Sequence, residues 1–249
     1  MSIDVSKPVK DLVAELPNAA RVFEQMGIDY CCGGAKPLEE ACRAANVGVG
    51  EVLQALEETR AESQESVEDW GQAPLAELIE HIVQKHHAYC RREQDLVTHL
   101  FHKVVQAHGA KHPELRHMQS LFDQMQKDLL MHLVKEENTL FPMILEMERA
   151  ASRKQPLPRP PFGTIRNPIS MMVREHEDSG AELNEMKQLS HGYEPPEDAC
   201  NTLRNLFQTL KAFEEDMHQH IYLENYILFP RAVEVERRLD ALREDVSRP

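Results

Sequence analysis

Two segments of the 249-residue chain repeat one arrangement of candidate metal ligands: HLVKEENTLFP at 132–142 and HIYLENYILFP at 220–230. In each, a histidine is followed four residues later by a glutamate and then by Leu-Phe-Pro at the same offset. On an α-helix such a pair differs by about 40° and stacks one turn apart. His132 with Glu136, and His220 with Glu224, can therefore each offer an imidazole nitrogen and a carboxylate oxygen from one face. Apolar neighbours fix that face. Met125, Leu129, His132, Glu136 and Leu140 share one stripe, and Phe213, Met217, His220, Glu224 and Ile227 share another. One such pair would read as an ion pair. Two, on apolar stripes and followed by the same tripeptide, read as a site. Buried carboxylates need a compensating charge, and neither stripe carries a lysine or arginine. A metal ion would supply it.

Further histidines fall on the other helical segments. His176 lies on the stripe Ile169, Met172, His176, Leu183. The segment EHIVQKHH holds His81, His86 and His87. Helical periodicity favours His86, which follows Ile79, Ile82 and Val83. His81 and His87 lie about 120° apart and cannot both face one site. His99, His102, His108, His112, His117 and His218 read as solvated or peripheral. One histidine from the first helix, His176 and the two His/Glu pairs make four nitrogens and two carboxylates. A structural zinc takes four ligands, commonly thiolates. Six ligands suit two metals, each with two nitrogens and two bridging carboxylate oxygens. With an oxide or hydroxide bridge, octahedral iron or manganese keeps one open position.

The elements needed to position these groups are all helical. Residues 1–62 read as a small helical module, with DYCCGG at 29–34 as a loop. Residues 63–74 are polar and aperiodic and read as a linker. Residues 75–249 carry four long amphipathic patterns: 75 to about 107, 113 to about 149, 168 to about 191, and about 196 past Pro230. Asn167 is the expected N-cap of the third. A stretch with five prolines, SRKQPLPRPPFGTIRNP, separates the second and third. The expected fold is all-α, an antiparallel four-helix bundle with a small helical N-terminal domain.

Composition narrows the partners. The formal net charge of −14 argues against a sequence-independent grip on nucleic acid. No stretch has the roughly 18 apolar residues of a membrane span, and the first 30 residues show no signal-peptide pattern, so a cytoplasmic protein is expected. Five cysteines at irregular spacing read as free thiols. A Cys31–Cys32 disulfide would close a strained ring. The pair reads instead as exposed thiols on a flexible loop, suited to iron or electron transfer or to docking. Cys42, Cys90 and Cys200 read as buried thiols.

Taken together, DYCCGG, HIVQKHH, HLVKEENTLFP, REHEDSG and HIYLENYILFP resemble the hemerythrin-like di-iron proteins that repair iron-sulfur clusters, the YtfE or ScdA type. The resemblance spans nearly the whole chain. It implies a non-haem, oxo- or hydroxo-bridged and carboxylate-bridged pair of iron ions held by His87, His132, Glu136, His176, His220 and Glu224. In the family the first-helix ligand is the last histidine of H-I-x4-H, which here is His87 and not the His86 of the periodicity. It also implies damaged iron-sulfur proteins and nitric oxide, or another small ligand, as partners, and leaves a homodimer open. The alternative is a hemerythrin-like sensor or carrier of nitric oxide or oxygen. Oxygen-carrying hemerythrins place a second histidine four residues beyond the first on the third helix, where this chain has Gly180.

Overall fold

The computed structural model describes residues 3–16, 18–62, 70–160 and 162–246. Most of the expected linker (63–69), Pro17, Pro161 and the last three residues lie outside the described residues. Among those described, regular structure is helical apart from one antiparallel bridge, Pro8 to Pro37. The chain groups into two units, one of residues 1–74 and 218–230, the other of 75–217 and 231–249.

In the smaller unit, four helices lie at Val9–Glu15 (α1), Ala19–Gln25 (α2), Leu38–Ala44 (α3) and Val49–Glu62 (α4). Pro8 and Pro37 stand at the N-caps of α1 and α3, where a missing N–H costs nothing. Their two Lys-Pro segments pair through Val9 N–H to the Lys36 carbonyl and Leu38 N–H to the Lys7 carbonyl, both 3.0 Å. Val9, Leu12, Val22, Phe23, Leu38, Cys42, Val52 and Leu56 form the core.

The larger unit is the bundle. Its helices are α5 (75–108), α6 (114–152), α7 (Arg166–Leu189) and α8 (201–246), the last contributing 201–217 and 231–246 to this unit. Phe101 of α5, Phe122 of α6 and Phe213 of α8 pack in series, tilted and then edge-to-face, with ring centroids 5.7 and 5.8 Å apart. Leu115, Met118, Met125, Leu183, Met186, Leu206 and Leu210 complete the buried layer. Burial of these large side chains is the dominant favourable term.

Two glutamates tie helix starts to neighbouring helices. The Glu148 carboxylate on α6 accepts the Leu75 and Ala76 N–H groups at the start of α5 (2.7 and 3.1 Å). Glu236 on α8 accepts the Ile165 N–H (2.8 Å) and the Thr164 hydroxyl (2.6 Å) at the start of α7. Each lies sixteen positions beyond its ligand histidine, His132 or His220. The repeat thus extends past the ligands and covers a whole helix pair. Glu236, not Asn167, serves the start of α7. Asn167 lies inside the first turn, with its side-chain amide donating to the Phe162 carbonyl (2.8 Å).

Three of the long helices widen into a π turn: Ile82–His87 in α5, Glu136–Leu140 in α6 and Leu223–Leu228 in α8. Proline in a helix lacks the N–H of the i→i−4 bond and crowds the carbonyl of residue i−4. For Pro142 and Pro230 that carbonyl belongs to Asn138 and Tyr226, both within π turns, where the ladder has already shifted register. The helices therefore run through both prolines.

Glu182 on α7 is pushed up to about 7 by burial and by the charges of Asp128, Asp178 and Glu185. A folded pKa raised above the ordinary value means that ionisation costs stability. That cost is absent below about pH 4.5, grows as pH rises and is complete above about pH 7. Glu182→Gln should therefore raise Tm at pH 8 and leave it unchanged at pH 4. Equal shifts at both pH values in thermal melts would show that the charge is not the cause.

Candidate metal centre

The bundle brings four of the expected ligands together. The Nε2 atoms of His87 on α5 and His132 on α6 approach the same oxygen, Oε2 of Glu136, at 3.4 and 3.3 Å. His176 on α7 places its Nε2 3.1 Å from that of His132. His87, His132, Glu136 and His176 are all buried. Ligand atoms of His132, Glu136 and His176 lie within 4.8 Å of one another, as do those of His87 and Glu136. Glu136 thus belongs to two groups of ligand-type side chains. In the smaller unit, His220 and Glu224 are buried on α8 with Nε2 and Oε1 3.1 Å apart.

Around this cluster, two further carboxylates set the tautomers. Glu137 Oε1 lies 2.7 Å from His87 Nδ1 and accepts from Arg91 Nη1 at 2.9 Å. Glu175 Oε2 lies 2.8 Å from His132 Nδ1, and its other oxygen pairs with Lys135. Hydrogen bonding from His132, opposed by burial and aided by Lys135, holds the Glu175 carboxyl down at about 2. Burial raises Glu137, but Arg91 and His87 outweigh it and leave it below the ordinary carboxylate range. Both groups are therefore anionic acceptors, and each neutral imidazole must carry its proton on Nδ1. The Nε2 lone pairs of His87 and His132 then face a carboxylate oxygen. Lone pair against lone pair is repulsive in a dry interior, and a cation between them turns every one of these contacts favourable. The donor set fits a metal ion with nitrogen and oxygen ligands. The His87 ring is also stacked on Phe141, the phenylalanine of the first Leu-Phe-Pro (5.7 Å).

His86 points elsewhere, its Nδ1 3.0 Å from Asp216 Oδ1. Periodicity favours it over His87 because it assumes 100° per residue. The π turn at Ile82–His87 has more residues per turn, so the phase slips just before the ligand. Sequence reasoning passes over Glu137, Glu175, Arg91 and Lys135. The available signal is adjacency, since Glu137 follows a ligand and Glu175 precedes one.

The cysteine loop differs from the expectation of two exposed thiols. Cys31 is buried at 2% exposure and Cys32 is half-buried. One carboxylate organises the loop: Asp29 accepts the N–H groups of Cys31, Cys32 and Gly33 at 3.1, 2.9 and 2.8 Å. A Cβ on Gly34 would lie 2.2 Å from the Tyr30 carbonyl oxygen, so only glycine allows this approach. Within the same unit, the Tyr226 hydroxyl donates to the Cys32 carbonyl (3.3 Å) and the Tyr222 hydroxyl to the Lys10 carbonyl (3.0 Å). The two sulfurs are 3.8 Å apart and not bonded. The hydrogen bond with Cys32, burial and the nearby Cys32 and Asp29 charges push the Cys31 thiol well up. Cys42 and Cys90 are buried, but Cys200 is exposed. Backbone N–H groups of Leu203 and Thr202, with His108, lower its thiol to about 7.

A hemerythrin HHE cation binding domain matches residues 78–232, and a domain of unknown function (DUF542) matches residues 5–60. Fold and ligand set together thus define a hemerythrin-like, cation-binding helical bundle carrying a small helical domain. Over 226 residues the chain is 33% identical to the iron-sulfur cluster repair protein YtfE of Pectobacterium carotovorum subsp. carotovorum (strain PC1), covering 91% of this chain and 96% of that protein. It is 34% identical to the protein of the same name from Yersinia pestis (strain Pestoides F), covering 90% and 96%. The chain belongs to this family of hemerythrin-like iron-sulfur cluster repair proteins. Among the described residues no helix is long and apolar enough to cross a membrane.

Removing either outer carboxylate should weaken metal retention. Glu137→Gln and Glu175→Gln are each expected to lower affinity about 10- to 100-fold in chelator competition, with helix content unchanged; unaltered affinity in both would remove them from the site. Alkylation by iodoacetamide at pH 7 in chelator-treated buffer, followed by peptide mass analysis, should label Cys200 first, Cys32 next and Cys31 last. Early labelling of Cys31 would contradict its burial.

Proposed function

We propose that this chain is a cytoplasmic di-iron protein that restores iron-sulfur clusters damaged by nitric oxide or oxidants. The observation that supports it most is the convergence of two imidazole Nε2 atoms on one oxygen of Glu136, with His176 beside them. In this reading His220 and Glu224 complete the set, because their segment repeats that of His132 and Glu136 and both side chains are buried. Glu136 and Glu224 would bridge two irons, with His87, His132, His176 and His220 as terminal ligands. A bound iron pair would supply one-electron redox chemistry and exchangeable iron. The protein's own contribution is to fix the imidazole tautomers through Glu137 and Glu175, to keep bulk water from the ligands, and to leave one coordination position without a side chain. Gly180, four residues beyond His176, offers no donor there. That opening suits release of iron to a damaged cluster, or reduction of nitric oxide, better than saturated storage of oxygen.

Cys32, the more accessible of the two vicinal thiols, would meet the client protein or pass iron or electrons, with Cys31 behind it. The relatives' name points to the same clients, proteins whose iron-sulfur clusters need repair.

Anaerobic mixing of the iron-loaded protein with an apo iron-sulfur protein, sulfide and reductant should regenerate the cluster, followed by its visible absorption. Glu136→Ala should abolish both this activity and the coupled di-iron signal in Mössbauer spectra. A Glu136→Ala protein that keeps the coupled signal would overturn the ligand set. Reversible gas binding without cluster regeneration would favour a sensor or carrier, and steady formation of nitrous oxide a reductase.

A further inference from the structure

The larger unit holds a second group of ligand-type side chains, about 30 Å along α5 from His87 at 1.5 Å per residue. Here the 109–113 connection between α5 and α6 meets the 190–200 connection between α7 and α8. His108 Nε2 lies 3.1 Å from Cys200 Sγ, and His112 Nε2 lies 3.1 Å from Asp198 Oδ1. The His112 Nδ1 is held by Glu114 Oε1 at 2.9 Å. A carboxylate on Nδ1 with Nε2 aimed at a second donor is the arrangement His87 and His132 show in the candidate metal centre. Lys111 approaches the other oxygen of Asp198 at 3.5 Å.

We propose that His108, His112, Asp198 and Cys200 form a separate, mononuclear site for a divalent ion of the zinc type. Two imidazoles, a thiolate and a carboxylate are a four-donor set that zinc takes in a tetrahedron. The spacings suit it: H-x3-H spans the end of one helix and the turn after it, and D-x-C leads into the next helix. The rings of His108 and His112 are 6.4 Å apart between centroids. Two imidazoles on one tetrahedral ion at about 2.0–2.1 Å would bring them to about 5 Å. Closure therefore requires the two rings to approach by more than about 1 Å, drawing in donors that do not yet converge within 4.8 Å, with Lys111 leaving Asp198 to solvent. Binding replaces three hydrogen bonds by four metal–ligand bonds and releases to water any proton on the thiol. The ion would clamp two connections of the bundle that no disulfide joins.

The test uses the full-length, iron-loaded protein with Cys31→Ser and Cys32→Ser, so that any thiolate signal comes from elsewhere. Added Zn(II) should bind at about one equivalent more than in the same protein carrying Cys200→Ser and His112→Ala. Co(II) should give a thiolate-to-metal charge-transfer band and tetrahedral d–d bands that Cys200→Ser removes. Zinc should slow alkylation of Cys200 at least about tenfold, and Glu114→Gln should weaken Zn(II) affinity about 10- to 100-fold. Circular dichroism checks that these substitutions leave the helices intact. Equal zinc stoichiometry with and without Cys200 and His112, or a cobalt spectrum that Cys200→Ser leaves unchanged, would overturn the site. The outcome is independent of the cluster-repair reading, since neither Glu136 nor the client protein enters it.

Discussion

A carboxylate buried among imidazoles, whose ionised form needs a compensating cation, is the constraint on which the rest of the bundle depends. Glu136 has no exposed surface, and two imidazole nitrogens crowd one of its oxygens. Such a charge is tolerated in an apolar interior only with a compensating cation and fixed hydrogen bonds. The outer carboxylates Glu137 and Glu175 meet the second need by forcing both imidazole protons outward. Arg91 and Lys135 in turn balance those carboxylates at the half-exposed rim. Charge thus alternates outward from the centre, which keeps each buried group matched to its neighbour.

The backbone serves the same constraint. A straight α-helix repeats every 3.6 residues, and in it the proline of each Leu-Phe-Pro would crowd the carbonyl of residue i−4. The π turns in α5, α6 and α8 shift the ladder, and the last two make room for the two prolines. π turns are costly local features that recur at functional sites. The packed rings of Phe101, Phe122 and Phe213 and the Glu148 and Glu236 tethers supply regular packing elsewhere along these helices. Local irregularity near the ligands is supported by regular packing farther along the same helices.

The smaller unit follows a different logic. Its loop is held by Asp29 accepting three backbone N–H groups, and by a glycine that permits close approach. That organisation hides one thiol and leaves its neighbour half-exposed. Burial and a neighbouring carboxylate both favour the neutral form of Cys31, so its reactivity must await a change in its surroundings. Cys200 has the opposite environment, with N–H groups and an imidazole around an exposed sulfur.

Several features were legible in the residues alone. The two His/Glu repeats, their apolar stripes and the proline-rich interruption predict long helices and inward-facing ligands, because a 3.6-residue period is a local property of the chain. His132, Glu136 and His176 could be placed in this way. The choice between His86 and His87 could not, because the π turn that moves the phase is stabilised by tertiary packing and leaves no periodic mark. Glu137 and Glu175 escaped for a related reason: their role is to accept a hydrogen bond from an imidazole on another helix, a relation between distant positions. The cysteines misled, Cys31 read as exposed on a loop and Cys200 as buried, since burial of Cys31 and exposure of Cys200 depend on which surfaces meet. The sequence by itself determined helices, stripes and candidate donors, all set by short-range periodicity and residue chemistry. Only the tertiary structure decided which nitrogen points where, which thiol is hidden and which carboxylates steer the ligands, because those depend on side chains brought together from separate helices.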